Sequence, residues 1–296
     1  MSSSDIKDSF VRLHIAVLIA GGTGLFGRLV SVGELPLVSV RVALAAIILT
    51  VVLAAQHKLH RVPSAHLWKM MGCGVLLAVH WVLFYGSIKA SNVSIGAVCV
   101  SLIGFFTAIL EPLFGHSKPK WREILLSLVT VLGISLIFGL DPRYRLGIGI
   151  GFVSSFVCTL FSISSKRVQA STGESSSTML LYELFGGTVI LLAAVSVYPS
   201  LFPDAQIIPS PKDWVYLLLL ASVFTIVPFI LQLQVLRRIS AFTVNLTYNL
   251  EPVYTIFFAM ILFGEATELT FSFWIGIALI VLSVALQAVY SSRRQS

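Results

Sequence analysis

An acidic residue inside an otherwise apolar stretch has the clearest chemical meaning in this sequence. Glu251 follows Asn245, Tyr248 and Asn249 within the run 240–264. A charged group deep in hydrocarbon costs about 2.5–3.5 kcal/mol, so it usually faces a cavity or a partner. The three polar residues share one helical face, and Pro252 removes a helix hydrogen bond beside the acid. The cluster predicts either a carboxylate that binds substrate or exchanges protons, or a protonated acid hydrogen-bonded between packed helices.

A second cluster combines an imidazole with aromatic rings. His80 lies in the apolar stretch 67–89 together with Trp81 and Tyr85. Aromatic faces beside a titratable ring suit a planar or cationic solute, although aromatic residues also serve as ordinary packing. After Pro228, Gln232 is a candidate to add an amide from another apolar stretch, with Gln234 as its alternative. The hydroxyl-rich course of residues 154–164 predicts either pore-lining groups or hydroxyls bonded to their own helix.

Two further charged residues occupy equivalent positions in the two halves of the chain. Arg41 falls on Glu183 when the second and seventh apolar stretches are aligned. Arg41 either contributes to a cavity or extends its charge to the membrane surface. Glu183 is expected near its own membrane interface, so a direct ion pair between the two is not predicted.

Three other motifs lack the context that their chemistry needs. The run Gly22–Gly27 matches a dinucleotide fingerprint, but that fingerprint works only between a strand and a helix. His57, His60 and His66 have no fixed turn or cysteine partners, and a solvated basic loop explains them better than zinc. The three cysteines fall within apolar stretches and form no disulfide framework. The sequence therefore predicts no metal and no cofactor.

Ten apolar stretches must position these residues. Each is about as long as a bilayer is thick, and none alternates as a barrel strand would, which predicts an all-α integral membrane protein. The predicted transmembrane helices are 11–32, 35–55, 67–89, 93–115, 121–140, 147–168, 178–198, 213–236, 240–264 and 272–290. The connections are too short for an extramembrane catalytic domain.

Composition and charge agree with this fold class. Apolar residues make up 57% of the chain and charged residues 11%, against about 25% charged residues in water-soluble domains. Alternate connections collect 14 of the 20 lysines and arginines on one side, so both termini are expected to be cytoplasmic. Membrane topology also explains the net charge of +7 better than nucleic-acid binding does.

The ten stretches divide into two related groups of five. A shift of 148 residues places Lys89 on Arg237 and Thr107 on Thr255. An odd number of crossings makes the second copy enter the membrane from the opposite side. The sequence therefore predicts two inverted five-helix repeats, 1–142 and 147–296, in one transmembrane domain.

On these features the chain resembles the EamA-like ten-span proteins of the drug/metabolite transporter superfamily, which include bacterial amino-acid and metabolite exporters. The supporting segments, besides the repeat, are Pro36 to Arg41, His80 to Ser91, Glu251-Pro252, Phe263-Gly264-Glu265 and Gly276 to Ile280. The resemblance implies a central cavity surrounded by helices one to four and six to nine. One departure is Leu113-Phe114-Gly115-His116, where the Gly-Glu ending is expected.

The predicted function is secondary transport by alternating access. The sequence favours export of amino acids, aromatic ones among them, across the bacterial inner membrane, with Arg41 or His80 on the carboxylate and Glu251 on the ammonium group. Nucleobases, drug-like cations and nucleotide sugars are alternative substrates. A membrane-embedded enzyme is disfavoured, because the sequence has no nucleophile–base pair. The expected partners are a small-molecule substrate, the lipid bilayer and protons, with no nucleic acid, and the expected state is a monomer or weak dimer.

Overall fold

The computed structural model describes residues 3–115, 120–138, 144–203, 205–263 and 271–293, and these form an all-helical bundle. The helices are α1 Ser3–Gly21, α2 Phe26–Leu29, α3 Glu34–Ala55, α4 Ser64–Ala90, α5 Val93–Val100, α6 Leu102–Gly115, α7 Trp121–Phe138, α8 Arg145–Thr172, α9 Ser176–Leu201, α10 Pro211–Ala221, α11 Val227–Leu236, α12 Ala241–Thr247, α13 Glu251–Phe263 and α14 Phe271–Arg293.

Helical structure occupies all ten stretches in which the sequence predicts a helix. In the part of the chain that the structure describes, seven segments are long and apolar enough to cross a membrane: Lys7–Leu29, Glu34–Ala55, Ser64–Ala90, Val93–Gly115, Arg145–Thr172, Ser176–Leu201 and Pro211–Leu236. A shorter apolar helix covers Trp274–Leu286. Large apolar side chains such as Val51, Leu132 and Val189 are exposed on the outside of the bundle, as a lipid-facing surface requires.

Four of the stretches are interrupted near their middle. The breaks are the turn Thr23–Leu25 after α1, Ser101 between α5 and α6, the wide π-helical turn Ser222–Ile226 and the tight 3-10 turn Tyr248–Leu250. Two have a proline as their local cause, because proline lacks the N–H that the preceding turn needs. Ahead of Pro252, the N–H of Glu251 bonds to Tyr248 O. Ahead of Pro228, the carbonyl of Phe224 accepts from Thr23 Oγ1 at 3.5 Å.

Packing across the bundle centres on α4, which lies against α8 and α9 over much of its length. Glycines at the α4–α9 crossing bring the two backbones together. Helices α7 and α14 pack on each other. Their Thr130 and Ser283 hydroxyls are 2.8 Å apart. This pair lies to one side, which leaves the other helices to enclose the centre.

Candidate functional site

A partly open cavity lies in the centre of the bundle. Each of the four helix breaks provides or adjoins part of its wall. The lining residues are Ala20, Thr23, Arg41, His80, Trp81, Phe84, Val100, Ile103, Cys158, Phe161, Phe224, Phe229, Gln232, Asn245, Tyr248 and Glu251. Within the described part of the chain, α7 and α14 contribute none of them. Interrupted helices expose backbone and polar side chains to a protein cavity, which is where a membrane protein tolerates irregular structure.

Arg41 is the fixed cation of the cavity, and it is fully buried. Its Nε donates to Thr225 Oγ1 at 2.8 Å, and its Nη1 donates to Tyr85 Oη at 3.1 Å. Its guanidinium carbon lies 4.0 Å from the centre of the Trp81 ring, a cation–π contact. The second terminal nitrogen, Nη2, has no hydrogen-bond partner. A buried donor without a partner is costly, so this nitrogen is well suited to an incoming acceptor.

Tyr85, which does not line the cavity, fixes the position of the Arg41 guanidinium. Its hydroxyl accepts from Arg41 and donates to the backbone carbonyl of Thr23 at 3.1 Å. Thr225 acts similarly from the π-helical turn, because its hydroxyl accepts from Arg41 and donates to Leu220 O at 2.6 Å. Arg41 is thereby fixed between two of the helix breaks.

Glu251 is the acid of the same cavity and is only 8% exposed. No hydrogen bond from the described residues reaches its carboxylate. Tyr248, one turn earlier, has a buried hydroxyl that also lacks a partner. The cavity thus combines an acid, a cation and a phenol, each with unused bonding capacity.

His80 presents one ring nitrogen to α8 and leaves the other available. Its Nδ1 lies 3.1 Å from Ser154 O and 2.9 Å from Ser154 Oγ. Because a carbonyl oxygen only accepts, the first contact requires a proton on Nδ1. In the neutral ring Nε2 is then an acceptor. The Ser154 hydroxyl also lies 2.9 Å from His80 O, which fixes α4 against α8.

Five further aromatic residues line the cavity: Trp81, Phe84, Phe161, Phe224 and Phe229. Trp81 meets Phe229 edge to face, with ring centres 5.0 Å apart, and Phe161 lies 6.2 Å from the same phenylalanine. Phe84 stacks near His80 at 6.1 Å. These rings offer a large apolar contact surface beside the charged groups.

Comparison with known proteins identifies the family. The family model for EamA-like transporters matches the chain twice, over residues 11–139 and 145–289. The chain belongs to the EamA-like transporter family. It is a membrane protein with several spans and with two copies of the family's repeat.

Two individual proteins are similar to this EamA-like transporter. An uncharacterized transporter of Synechocystis sp. is 24% identical over 193 residues, which cover 62% of this chain and 54% of that protein. The match therefore spans about half the length of this relative. A crystal structure of another protein has a TM-score of 0.72, covers 94% of this chain and 97% of its own, and is 14% identical. At that identity the likeness shows the shared fold alone.

Of the nine predicted site residues, seven line the cavity: Arg41, His80, Trp81, Gln232, Asn245, Tyr248 and Glu251. Tyr85 lies behind Arg41 instead. Asn249 points elsewhere, since its amide lies 3.4 Å from Thr130 Oγ1 on α7. The tight turn at Tyr248–Leu250 changes the helical register. The sequence predicts a regular helix, which would place Asn249 on the same face as Asn245 and Tyr248. Of the two glutamines, Gln232 reaches the cavity, and Gln234 accepts from Arg12 Nη1 at 2.7 Å.

Asn245 has both amide atoms engaged by the protein. Its Oδ1 accepts from Ser162 Oγ at 3.0 Å, and its Nδ2 donates to Thr107 Oγ1 at 2.9 Å. It therefore ties α12 to α8 and α6 and shapes the cavity wall. The hydroxyls of α8 follow the same pattern, because Ser155 and Thr159 bond to carbonyls of their own helix and of α5 or α6.

Glu183, which is expected near a membrane interface, does not extend its side chain to the surface of the bundle. Its side chain is fully buried between α9, α8 and α4. The Gly-Glu pair at 264–265 and the contrasting His116 lie outside the described residues.

The glycine run of the first stretch is a packing element. An added Cβ at Gly22 would overlap the ring of Phe224, and one at Gly21 would lie 2.6 Å from Tyr254 Cβ. Neither glycine has room for a side chain, because α1 ends against the second repeat here. Close helix approach through small residues explains the run without a nucleotide.

Polar contacts close the bundle on either side of the cavity. At one end, the Glu111 carboxylate accepts from Lys166 Nζ at 3.1 Å and from the backbone N–H of Phe242 at 2.9 Å. At the other end, Ser31 donates to Asp213 through its N–H at 2.9 Å and its hydroxyl at 2.6 Å. Both contacts join the two matched segments of the chain.

Proposed function

We propose that this EamA-like transporter is a secondary carrier that exports amino acids by alternating access. The observation that carries the proposal is that Arg41, with one nitrogen lacking a partner among the described residues, and Glu251 line the same central cavity. An amino acid carries a carboxylate and an ammonium group on one carbon. Its carboxylate can accept from Arg41 Nη2, and its ammonium can donate to Glu251.

The rest of the wall favours an aromatic or otherwise large side chain. Trp81, Phe161 and Phe229 supply the apolar surface that such a side chain needs. Tyr248 and His80 can hydrogen-bond to a polar substituent. Nucleotide sugars fit less well, because among the described lining residues Arg41 alone is permanently cationic, whereas a diphosphate needs several cations.

The proposal includes ten spans arranged as two inverted five-helix repeats, 1–142 and 147–296. Support comes from the helical structure of all ten stretches and from the twofold family match. The lysine and arginine distribution supports an orientation with both termini in the cytoplasm, and the proposal places the protein in the bacterial inner membrane. Rocking of the repeats would exchange the closing contacts at Glu111 and Asp213, so that the cavity opens to one side at a time. A monomer suffices for this mechanism.

Transport in proteoliposomes tests the proposal. Purified protein should move labelled L-phenylalanine with saturation, and unlabelled phenylalanine should compete better than phenethylamine or 3-phenylpropionate, which each lack one charged group. In Glu251→Gln, unlabelled phenylalanine should compete less well, approaching the level of 3-phenylpropionate, because the variant lacks the acid that binds the ammonium group. Glu34→Gln is the matched control, because Glu34 is outside the cavity.

Equal competition by all three compounds would remove the zwitterion site. Saturable flux of a cationic amine with none of phenylalanine would instead favour a drug-like cation as substrate. Both outcomes can be interpreted because the three compounds share the phenyl ring and differ in the charged groups that they carry.

A further inference from the structure

Another buried acid, Glu183, lies outside the cavity, at a contact between the two repeats. Glu183 belongs to α9 in the second matched segment, and Gly74, which packs on its backbone, belongs to α4 in the first. Its side chain is fully buried. The substrate site described above makes no use of this residue.

The carboxyl group of Glu183 has an incomplete set of partners. Oε1 accepts from Ser165 Oγ at 2.6 Å, and Oε2 is buried without a hydrogen bond. An ionised carboxylate in a buried apolar site needs a cation or several donors. Glu183 receives one hydrogen bond, from the Ser165 hydroxyl. This environment therefore favours the neutral acid, with its proton on Oε2.

Among the described residues, the groups around the acid offer no compensating charge. On α4 the titratable neighbour is the Cys73 thiol, which is also within hydrogen-bonding reach of Ser165. From α8 the contact is the uncharged Ser165. Helices α3 and α11 also pack on α9, and their described residues place no ionisable side chain in interaction with Glu183. One turn further along α9, Gly187 packs on the apolar side chain of Val42.

From this geometry we infer that Glu183 is a proton-binding site of the carrier, separate from the substrate-binding acid Glu251. The inference rests on the proposed carrier function. When the repeats rock, the α4–α9 crossing moves and water reaches Oε2. The O–H bond then breaks, the proton passes to water, and the carboxylate remains until it regains a proton from water on the opposite side. Proton binding is thereby linked to the α4–α9 contact between the repeats. Glu251 binds the ammonium group of the substrate.

Infrared difference spectroscopy of the purified protein between acidic and alkaline pH tests the site without any substrate. The wild type should show a protonated-carboxyl C=O band that disappears at alkaline pH. Glu183→Gln should lack that band, and Glu34→Gln should retain it. Should Glu183→Gln fail to fold, Glu183→Asp should keep the band at a shifted frequency. A band unchanged in both Glu183 variants would overturn the inference.

Transport measurements then separate coupling from substrate binding. In proteoliposomes, Glu183→Gln should reduce phenylalanine accumulation driven by a pH gradient at least tenfold, and should reduce exchange of internal for external phenylalanine much less. Equal loss of both activities, with no rescue by Glu183→Asp, would indicate a structural role. Absence of all flux in the wild type would contradict the carrier proposal, whereas the infrared result would still decide whether Glu183 binds a proton.

Discussion

Gly74 of α4 lies directly against the backbone carbonyl of Glu183 on α9, with no space for a side chain between them. A Cβ built on Gly74 would overlap that oxygen, and one on Gly186 would overlap the backbone of Met71. The contact joins the two repeats through their main chains. Gly74→Ala should therefore separate the helices and lower stability by at least the roughly 1–3 kcal/mol typical of overpacking. A lower melting temperature in detergent would show this effect.

Gly72 provides the control, because it lies on the same helix two residues away. A Cβ there meets nothing within 4 Å. Gly72→Ala should leave the melting temperature unchanged or raise it, since alanine is the better helix former by about 0.5–1 kcal/mol. Equal effects of the two substitutions would contradict the close contact at Gly74.

Much of the fold follows from the sequence, because hydrocarbon imposes simple rules on length and polarity. The ten helical stretches and the polar cluster around Glu251 are predictable because an acid deep in hydrocarbon needs a reason to be there. The placements that fail depend on tertiary structure. Asn249 turns away because the helix tightens before Pro252. Glu183 is buried because Gly74, on a helix distant in sequence, lets the two backbones approach closely. The residues next to Glu183 in the sequence do not indicate this contact.

The second prediction concerns the support of Arg41. Tyr85→Phe removes the hydroxyl that accepts from Arg41 Nη1 and donates to Thr23 O. Each unsatisfied buried group costs about 1–3 kcal/mol, so the variant should bind phenylalanine roughly tenfold more weakly and melt at a lower temperature. Calorimetric titration and thermal melting measure the two effects. Tyr216→Phe is the control, as its ring lies outside the cavity beside Phe26. Unchanged affinity in Tyr85→Phe would show that the guanidinium needs no such support.

The third prediction is a pH dependence at the end of the bundle near Arg237. His60 Nε2 lies 2.9 Å from Glu174 Oε2, which links the α3–α4 connection to the α8–α9 connection. The hydrogen bond to Glu174 raises the pKa of His60 above its ordinary value of 6.5. The stabilisation is therefore complete below about pH 6.5 and is lost as pH rises through the raised value. Because His60 is half exposed, solvent limits it to roughly 0.2–1 kcal/mol.

Melting temperatures of the wild type and His60→Gln across this pH range provide the measurement. The wild type should be more stable at acidic pH, and the difference should shrink towards alkaline pH. His14→Gln, at an exposed position of α1, is the control and should show no such trend. A difference independent of pH would mean that the contact acts as a neutral hydrogen bond.

The last prediction concerns Glu111, which connects three helices at one end of the bundle. Its carboxylate receives the Lys166 ammonium of α8 and the first backbone N–H groups of α12, those of Ala241 at 3.2 Å and Phe242 at 2.9 Å. The α12 donors have no partner within their own helix, so the acid caps it from a neighbouring one. Glu111→Ala should cost about 1–3 kcal/mol, because these donors and the lysine lose their acceptor. Lys166→Met should cost less, since the cap remains. If the two variants melt at the same temperature, the ion pair rather than the cap holds this end of the bundle.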